Sequence, residues 1–343
     1  MEYGAIDLHM RRSEIRIEDE DGRLVLARRI ETTRADFERT FGGRSRMRIL
    51  LESSTESEWV AQCLEGLGHE VIVADPNFLP MYGQRSRRVK TDKRDVAALT
   101  AACRSGTYRA ASRVSAAQRT RRQELRVRRH LVQVRTRTIS VIRSMVRQEG
   151  LRVPRGASAA IVARLDGLTL PPALQAVIAP LKAVLTQLQT TLDDIEERVE
   201  AIAVTDARAQ QLMTAPGVGP IVALTYLAVL DTPDRFGGDA RRASAFLGLV
   251  PREDSSAERQ RKGHITKTGP PELRSLLIQA SWVIWRGRSA DGAALRTWAH
   301  ALATRRGRRI AIVALARRLS RILFAMWRDK TEFTRRAPTT VAA

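Results

Sequence analysis

The sequence predicts an α/β domain followed by a mostly helical remainder, and three observations carry that reading. Over the first hundred residues, short apolar runs of strand length alternate with helical patterns. From Ser115 onward the apolar spacing becomes helical. Turn and cap residues (Asp21-Gly22, Thr33, Gly68, Thr91, Gly106) fall where one pattern gives way to the next.

Taken in order, Tyr3 to His9, Glu14 to Glu18 and Leu24 to Ile30 read as three short strands, with Asp21-Gly22 as the turn between the last two. Thr33 is placed to cap a helix through Phe41. Met47 to Glu52 is an apolar strand, a helix from Thr55 stops at Gly68, and Glu70 to Ala74 is a further strand. After a Pro76 to Arg88 connection, Thr91 caps a helix that runs to Arg104 and ends at Gly106. The order βββ-α-β-α-β-α is that of an RNase H-like domain, although other α/β folds share parts of it. Beyond it, Val127, Leu131, Val134, Thr138, Val141 and Met145 form a heptad seam, and Gly150 to Ser158 is a break. A second seam follows through Leu181, Val184, Leu188, Thr191, Ile195 and Ile202, with Pro180 at its start or at a kink. An antiparallel hairpin and a dimer contribution both satisfy this pair. In the last third, Pro216-Gly217-Val218-Gly219-Pro220 leads into a helix from Ile221 to Leu230. Helices follow at Arg242–Leu249, Glu272–Trp285, Ala293–Arg305 and Ile310–Trp327. The expected division is an RNase H-like domain at 1–110, a helical coiled-coil segment at 111–205, a helical domain at 206–333 and a disordered tail at 334–343.

The charge balance narrows the partner. Among 343 residues, 59 Lys and Arg against 37 Asp and Glu leave a net charge of +22. A chain this basic is expected to meet nucleic acid, since each phosphate it neutralises releases a counterion. Two cysteines make neither a disulfide framework nor a four-thiolate zinc site, and the five histidines lack zinc-ligand spacing. No signal-peptide pattern opens the chain, and no uncharged run of about 18 apolar residues suits a membrane, so a cytoplasmic location is expected.

Four carboxylates are the candidate chemistry. Asp7 lies in the first strand between Ile6 and Leu8, where an ionised group is costly unless it is paired or bound to a cation. Glu52 ends an apolar strand at its carboxyl end, where ligands bind in open α/β sheets. Asp92 and Asp95 share a face in the first turn of a helix. Singly, the two helix acids suit the helix macrodipole. Together, hard oxygen donors that converge call for a divalent cation such as Mg²⁺. Metals held this way serve nucleases, resolvases, integrases and transposases alike. Pro216 to Pro220 reads either as the hairpin of a helix-hairpin-helix element, with Gly217 and Gly219 allowing the turn and free N–H groups facing a phosphate, or as a plain helix connector. The arginine-rich helix (Arg121, Arg122, Arg128 and Arg129) reads as a nucleic-acid track, and Lys262 and Lys267 are further candidate contacts. The tryptophans on helical segments read as core.

The residues carry a resemblance as well. Gly4-Ala5-Ile6-Asp7, Glu52-Ser53-Ser54-Thr55, Gly68-His69-Glu70-Val71 and Lys90-Thr91-Asp92-Lys93-Arg94-Asp95 resemble the DEDD transposases of bacterial insertion sequences, the one-ten family, which includes Piv-type DNA invertases. Pro216 to Pro220, Arg235-Phe236, Gly248-Leu249-Val250-Pro251, Ser255-Ser256 and Lys267-Thr268-Gly269 continue it in order. The resemblance implies a Holliday-junction-resolvase-like (RuvC-like) domain joined to a C-terminal transposase domain that supplies a serine nucleophile. It also implies guidance by a structured RNA that pairs with donor and target DNA. By position, Asp7, Glu52, Asp92 and Asp95 match the four acids and Ser256 the serine, with Ser255 beside it. The family pattern has glycine after the serines, where this chain has Ala257. A homo-oligomer is expected. A water-using junction resolvase and an inactive basic nucleic-acid-binding protein remain as alternatives.

Overall fold

Alternation of side chains builds the N-terminal sheet. In β1 (Tyr3–Asp7), Gly4 and Ile6 turn to one face and Ala5 and Asp7 to the other. β2 (Arg12–Glu18) divides likewise, with Ile15 and Ile17 set against Glu14, Arg16 and Glu18. β2 runs antiparallel to β1 and to β3 (Leu24–Glu31). β4 (Arg48–Glu52) and β5 (Glu70–Ala74) add in parallel beyond β1, giving the order β3-β2-β1-β4-β5. Each face carries its own core. Ile6, Ile15, Ile17, Ile49 and Leu51 pack with α1 (Arg34–Phe41) and α2 (Ser57–Gly66). Ala5, Leu50 and Ala74 pack with Val96, Leu99 and Cys103 of α3 (Asp92–Ser105). The Thr33 hydroxyl caps α1 through Asp36 N–H, and α3 stops at Gly106 in the left-handed region. At α3 the Thr91 hydroxyl makes no capping bond, and its carbonyl accepts from Arg94 and Asp95 instead.

The computed structural model describes residues 1–83, 91–253 and 262–334, in two compact units, Met1–Arg113 and Val114–Ala343. The first is mixed α/β and the second mostly helical. In the second, α4 (Ala116–Gln148) and α6 (Pro172–Thr205) are joined through α5 (Ile161–Asp166). Arg128 pairs with Glu196 and Arg135 with Gln189, so numbers rise on one helix as they fall on the other. That is the antiparallel hairpin. Its seam differs from the expected one. α4 buries Leu125, Ile139, Ile142 and Val146 while Val127 and Val141 are exposed. α6 buries Leu185 and Leu192, one residue beyond the expected Val184 and Thr191, together with Ile178, Val199 and the expected Ile195. A three-four alternation marks a stripe without choosing between adjacent rows, and here the partners change along the hairpin. Near its tip Ile142 and Val146 meet Ile161, Leu165 and Ile178, whereas Leu125, Ile195 and Val199 join the C-terminal core. Pro180 lies inside α6, which starts at Pro172.

The remaining elements are α7 (Ala207–Met213), α8 (Pro220–Leu230), α9 (Ala240–Phe246), β6 (Pro251–Glu253), β7 (Lys262–Ile265), α10 (Pro271–Arg286), α11 (Ala293–Arg306) and α12 (Arg308–Asp329). α8 is apolar on every side and buried from Val222 to Leu230, so the other helices assemble around it. Trp327 is core, and Trp285 and Trp298 pack against it. Trp282 is stacked under Arg286 and Arg308. Among the described residues, no helix is long and apolar enough to cross a membrane.

Candidate metal centre and nucleic-acid interface

Strand register assembles the acids. Asp7 stands opposite Glu14, Glu14 stands opposite Arg29, and Asp7 and Glu52 lie one step beyond the parallel pair Ile6–Leu51. Directly opposed residues share a face, so Arg29, Glu14, Asp7 and Glu52 form one row across four strands. It is the face that α3 covers, because Ala5 and Leu50, two residues before Asp7 and Glu52, pack on α3. The first turn of α3 brings Asp92 and Asp95 to the same end.

Burial holds the Asp7 carboxyl above its ordinary range. His9 pulls it back down, and the fields of Glu52, Asp92 and Asp95 push it up. All four sequence-predicted acids are thus within electrostatic reach of one point. Asp95 is buried and Asp92 half-exposed. The Tyr82 hydroxyl donates to Glu52 Oε1. Arg29 lies 3.3 Å from Glu14 Oε1 and 3.9 Å from Asp92 Oδ2. Asp7, His9 and Asp92 each offer a donor atom, all within 4.8 Å of one another, a spread that one cation could share.

Sequence reasoning passed over His9, Glu14, Arg29 and Tyr82. Glu14 and Arg29 were recoverable from register, since Asp7 and Glu14 face each other across the Leu8–Arg11 turn. His9 falls in that turn because β1 ends at Asp7, two residues short of its expected end.

Comparison with known proteins agrees with the geometry. A DEDD transposase family model of the IS110 type matches residues 5–150, and a second, Transposase IS116/IS110/IS902 family, matches 209–295. The chain is 31% identical over 292 residues to a probable family 20 transposase of Pseudomonas aeruginosa, covering 82% of this chain and 84% of that one. The chain belongs to the IS110 family of transposases. It is 28% identical to the transposase for insertion sequence element IS1111A of Coxiella burnetii, over 90% of this chain and 84% of the relative. To the transposase for insertion sequence element IS1328 of Yersinia enterocolitica it is 27% identical, with 84% and 85% covered. This IS110-family member is accordingly a DNA-recombining enzyme.

The transposase's helical unit holds the other candidate residues. Arg128 and Arg129 are half-buried and spend their charge on Glu196 of α6 and Glu272 of α10. Arg121 lies 3.4 Å from Glu124. Arg122, Arg128 and Arg129 line a cavity of about 220 Å³ together with Thr225 of α8 and Gln279 of α10. Burial, then the field of Arg122, lowers the affinity of Arg235 for its proton. The exposed arginines of α4 are instead Arg126, Arg137, Arg143 and Arg147.

Gly217 adopts φ +74°, and a Cβ there would stand 2.7 Å from the Ala280 carbonyl oxygen. Its turn is therefore packed on α10, which by itself explains the glycine. A Cβ on Gly219 would meet nothing within 4 Å. Arms β6 and β7 pair antiparallel on either side of residues 254–261 in the sequence. Ser255, Ser256 and Ala257 lie outside the described residues, as does the Lys262 side chain. Lys267 adopts φ +56°, and at the foot of the arms Gly248 and Gly269 let two backbones cross. A Cβ on Gly248 would stand 2.3 Å from the Thr268 oxygen, and one on Gly269 1.9 Å from the Phe246 oxygen.

Proposed function

We propose that this transposase cuts and rejoins DNA at the ends of an insertion sequence, with Asp7, Glu52, Asp92 and Asp95 as ligands to Mg²⁺ and Ser256 as nucleophile. Ser255 is the alternative hydroxyl. The carrying observation is that acids from two strands and one helix meet at one end of the sheet, with Asp95 buried and Asp7 half-buried among them. Like charges so arranged cost free energy unless a cation offsets them, and hard oxygen donors suit Mg²⁺. The strand order, with β1 antiparallel to β2 and parallel to β4, supports an RNase H-like reading of residues 1–110.

When bound, the ion would polarise the scissile phosphodiester and stabilise charge on the attacking and leaving oxygens. The chain's own groups do the rest. Tyr82 orients Glu52 through its hydroxyl, and Arg29 neutralises Glu14 beside Asp7. The Ser256 Oγ forms a bond to phosphorus as the bond from phosphorus to the departing DNA oxygen breaks, and the serine proton passes to that oxygen. The phosphodiester survives as a phosphoserine link, so the strand can be rejoined without an outside energy source. Arginine–phosphate contacts position nucleic acid and carry little sequence information, which fits delegation of sequence choice to a structured guide RNA. Lys262, Lys267 and Gly219 join the arginines as candidate contacts, in a homo-oligomer acting in the cytoplasm.

The test is covalent trapping with the full chain, its flanking RNA, donor DNA and Mg²⁺. Wild type should give a protein–DNA adduct that survives denaturation, and Ser256→Ala should not. Loss in Ser255→Ala alone moves the assignment by one residue. Free cut ends with no adduct, or strand exchange persisting in the double variant, would refute serine chemistry.

A further inference from the structure

His9 stands between two of the four acids on a turn that is held in place. Its Nε2 lies 3.5 Å from Asp7 Oδ2 and 3.8 Å from Asp92 Oδ1. Both separations exceed a hydrogen bond, so the imidazole is not consumed by either carboxylate. In an octahedral shell with bonds of about 2.1 Å, neighbouring donors stand about 3 Å apart and opposite ones about 4.2 Å. Both His9 separations fall in that range, and the three donors all lie within 4.8 Å of one another. The second oxygen of Asp92 faces Arg29 at 3.9 Å, which leaves Oδ1 as the one turned to His9.

The turn itself is pinned from β3. The Thr32 hydroxyl donates to the His9 carbonyl at 2.8 Å, and Thr32 N–H donates to the Arg11 carbonyl at 2.9 Å. Thr32 Oγ1 also meets Ser13 Oγ at 2.8 Å. A half-exposed histidine on a free turn would sweep widely, whereas this backbone is fixed at the position that aims its ring at the acids.

Resting on the carboxylate reading above, we infer that His9 is a nitrogen ligand to the divalent ion held by Asp7 and Asp92, and that it biases the site towards Mn²⁺ over Mg²⁺. Mg²⁺ prefers an all-oxygen shell, whereas imidazole adds to the binding of first-row transition ions. His9 is therefore a determinant of ion choice separate from the four acids.

The experiment uses the full-length protein loaded with Mn²⁺ alone and read by pulsed electron paramagnetic resonance. Wild type should show nitrogen-14 coupling to the bound Mn²⁺, and His9→Ala should bind Mn²⁺ without it. Outer-shell partners of metal ligands are worth about 10- to 100-fold in affinity, so loss of a direct ligand should raise the Mn²⁺ Kd by about tenfold or more. The Mg²⁺ Kd should change less. Wild-type Mn²⁺ bound with no nitrogen coupling, coupling that persists in His9→Ala, or equal losses for both ions would overturn the inference. Asp7→Asn separates this from failure of the parent reading. If Asp7→Asn binds Mn²⁺ as tightly as wild type, the carboxylate site fails and the His9 ligand with it. If Asp7→Asn abolishes binding while His9→Ala leaves spectrum and affinity unchanged, only the His9 assignment falls.

Discussion

Gly269→Ala tests whether the foot of the β6–β7 arms is a built crossing or an ordinary loop. Gly269 sits at φ +71°, where an alanine costs about 1–2 kcal/mol. The added Cβ would stand 1.9 Å from the Phe246 oxygen, whereas real Cβ contacts essentially never fall under 3.0 Å. Because the obstacle is backbone, the end of α9 and the segment before α10 must part, and overpacking of this kind adds about 1–3 kcal/mol. The total is about 2–5 kcal/mol. Gly150 in the same unit supplies the control, since it has φ +73° and its Cβ would meet nothing within 4 Å. Gly150→Ala should lose only the conformational part, about 1–2 kcal/mol. Urea denaturation followed by circular dichroism measures both. Strand exchange should fall in Gly269→Ala and stay intact in Gly150→Ala. Equal destabilisation of the two variants would show that the close crossing carries no energy, and the argument from backbone approach would be wrong.

Other outcomes follow from the same geometry. In metal-free protein, Asp7 has a folded-state pKa above the ordinary 3.8, so from about that pH upward the folded chain holds the extra proton and stability falls as pH rises through the raised value. Asp7→Asn should therefore flatten this slope and raise neutral-pH stability in denaturation curves while reducing cleavage to background. Tyr82→Phe removes the hydrogen bond to Glu52 and should slow cleavage by about tenfold with nucleic-acid binding unchanged, since losing a group that orients a metal ligand costs about 10- to 100-fold. Neutralising the exposed Arg126, Arg137, Arg143 and Arg147 together should reduce the salt dependence of binding, by up to about 0.9 in log–log slope per lost phosphate contact. An unchanged slope would make α4 a scaffold only. Arg128→Ala should instead lower stability, since it breaks the tie to Glu196.

Much of the α/β unit was legible because its signals are local. Period-two alternation fixes which strand residues share a face, so Asp7 with Ala5 and Glu52 with Leu50 could be read without coordinates. The helical unit was less legible. The α4 and α6 stripes were visible, but which row faces inward depends on partners far along the chain, such as Ile161 for Val146. At Gly217 the sequence left a phosphate-binding turn and a plain helix connector both open, because the carbonyl that would crowd a side chain there belongs to Ala280, far along the chain. The site shows the same divide. The four acids lie within recognisable segments, whereas Arg29 enters only once β1, β2 and β3 are in register, and His9 only once β1 ends at Asp7.

The row Arg29–Glu14–Asp7–Glu52 also links ion binding to the stability of this sheet end. Arg29 lies against two acids, Glu14 and Asp92, and Asp7 stands in the fields of Glu52, Asp92 and Asp95. A divalent ion binds only where these groups are assembled, so it favours the folded sheet by mass action, by about 2.7 kcal/mol at a hundred times its Kd. The gain should be local. Hydrogen exchange with saturating Mg²⁺ should slow amides of β1, β4 and the first turn of α3, with little change in the α4–α6 hairpin. Asp7→Asn should show the slow exchange without ion and no further slowing with it. Protection that rises equally in both units, or that responds to the ion in Asp7→Asn as in wild type, would place the cation somewhere other than the sheet end.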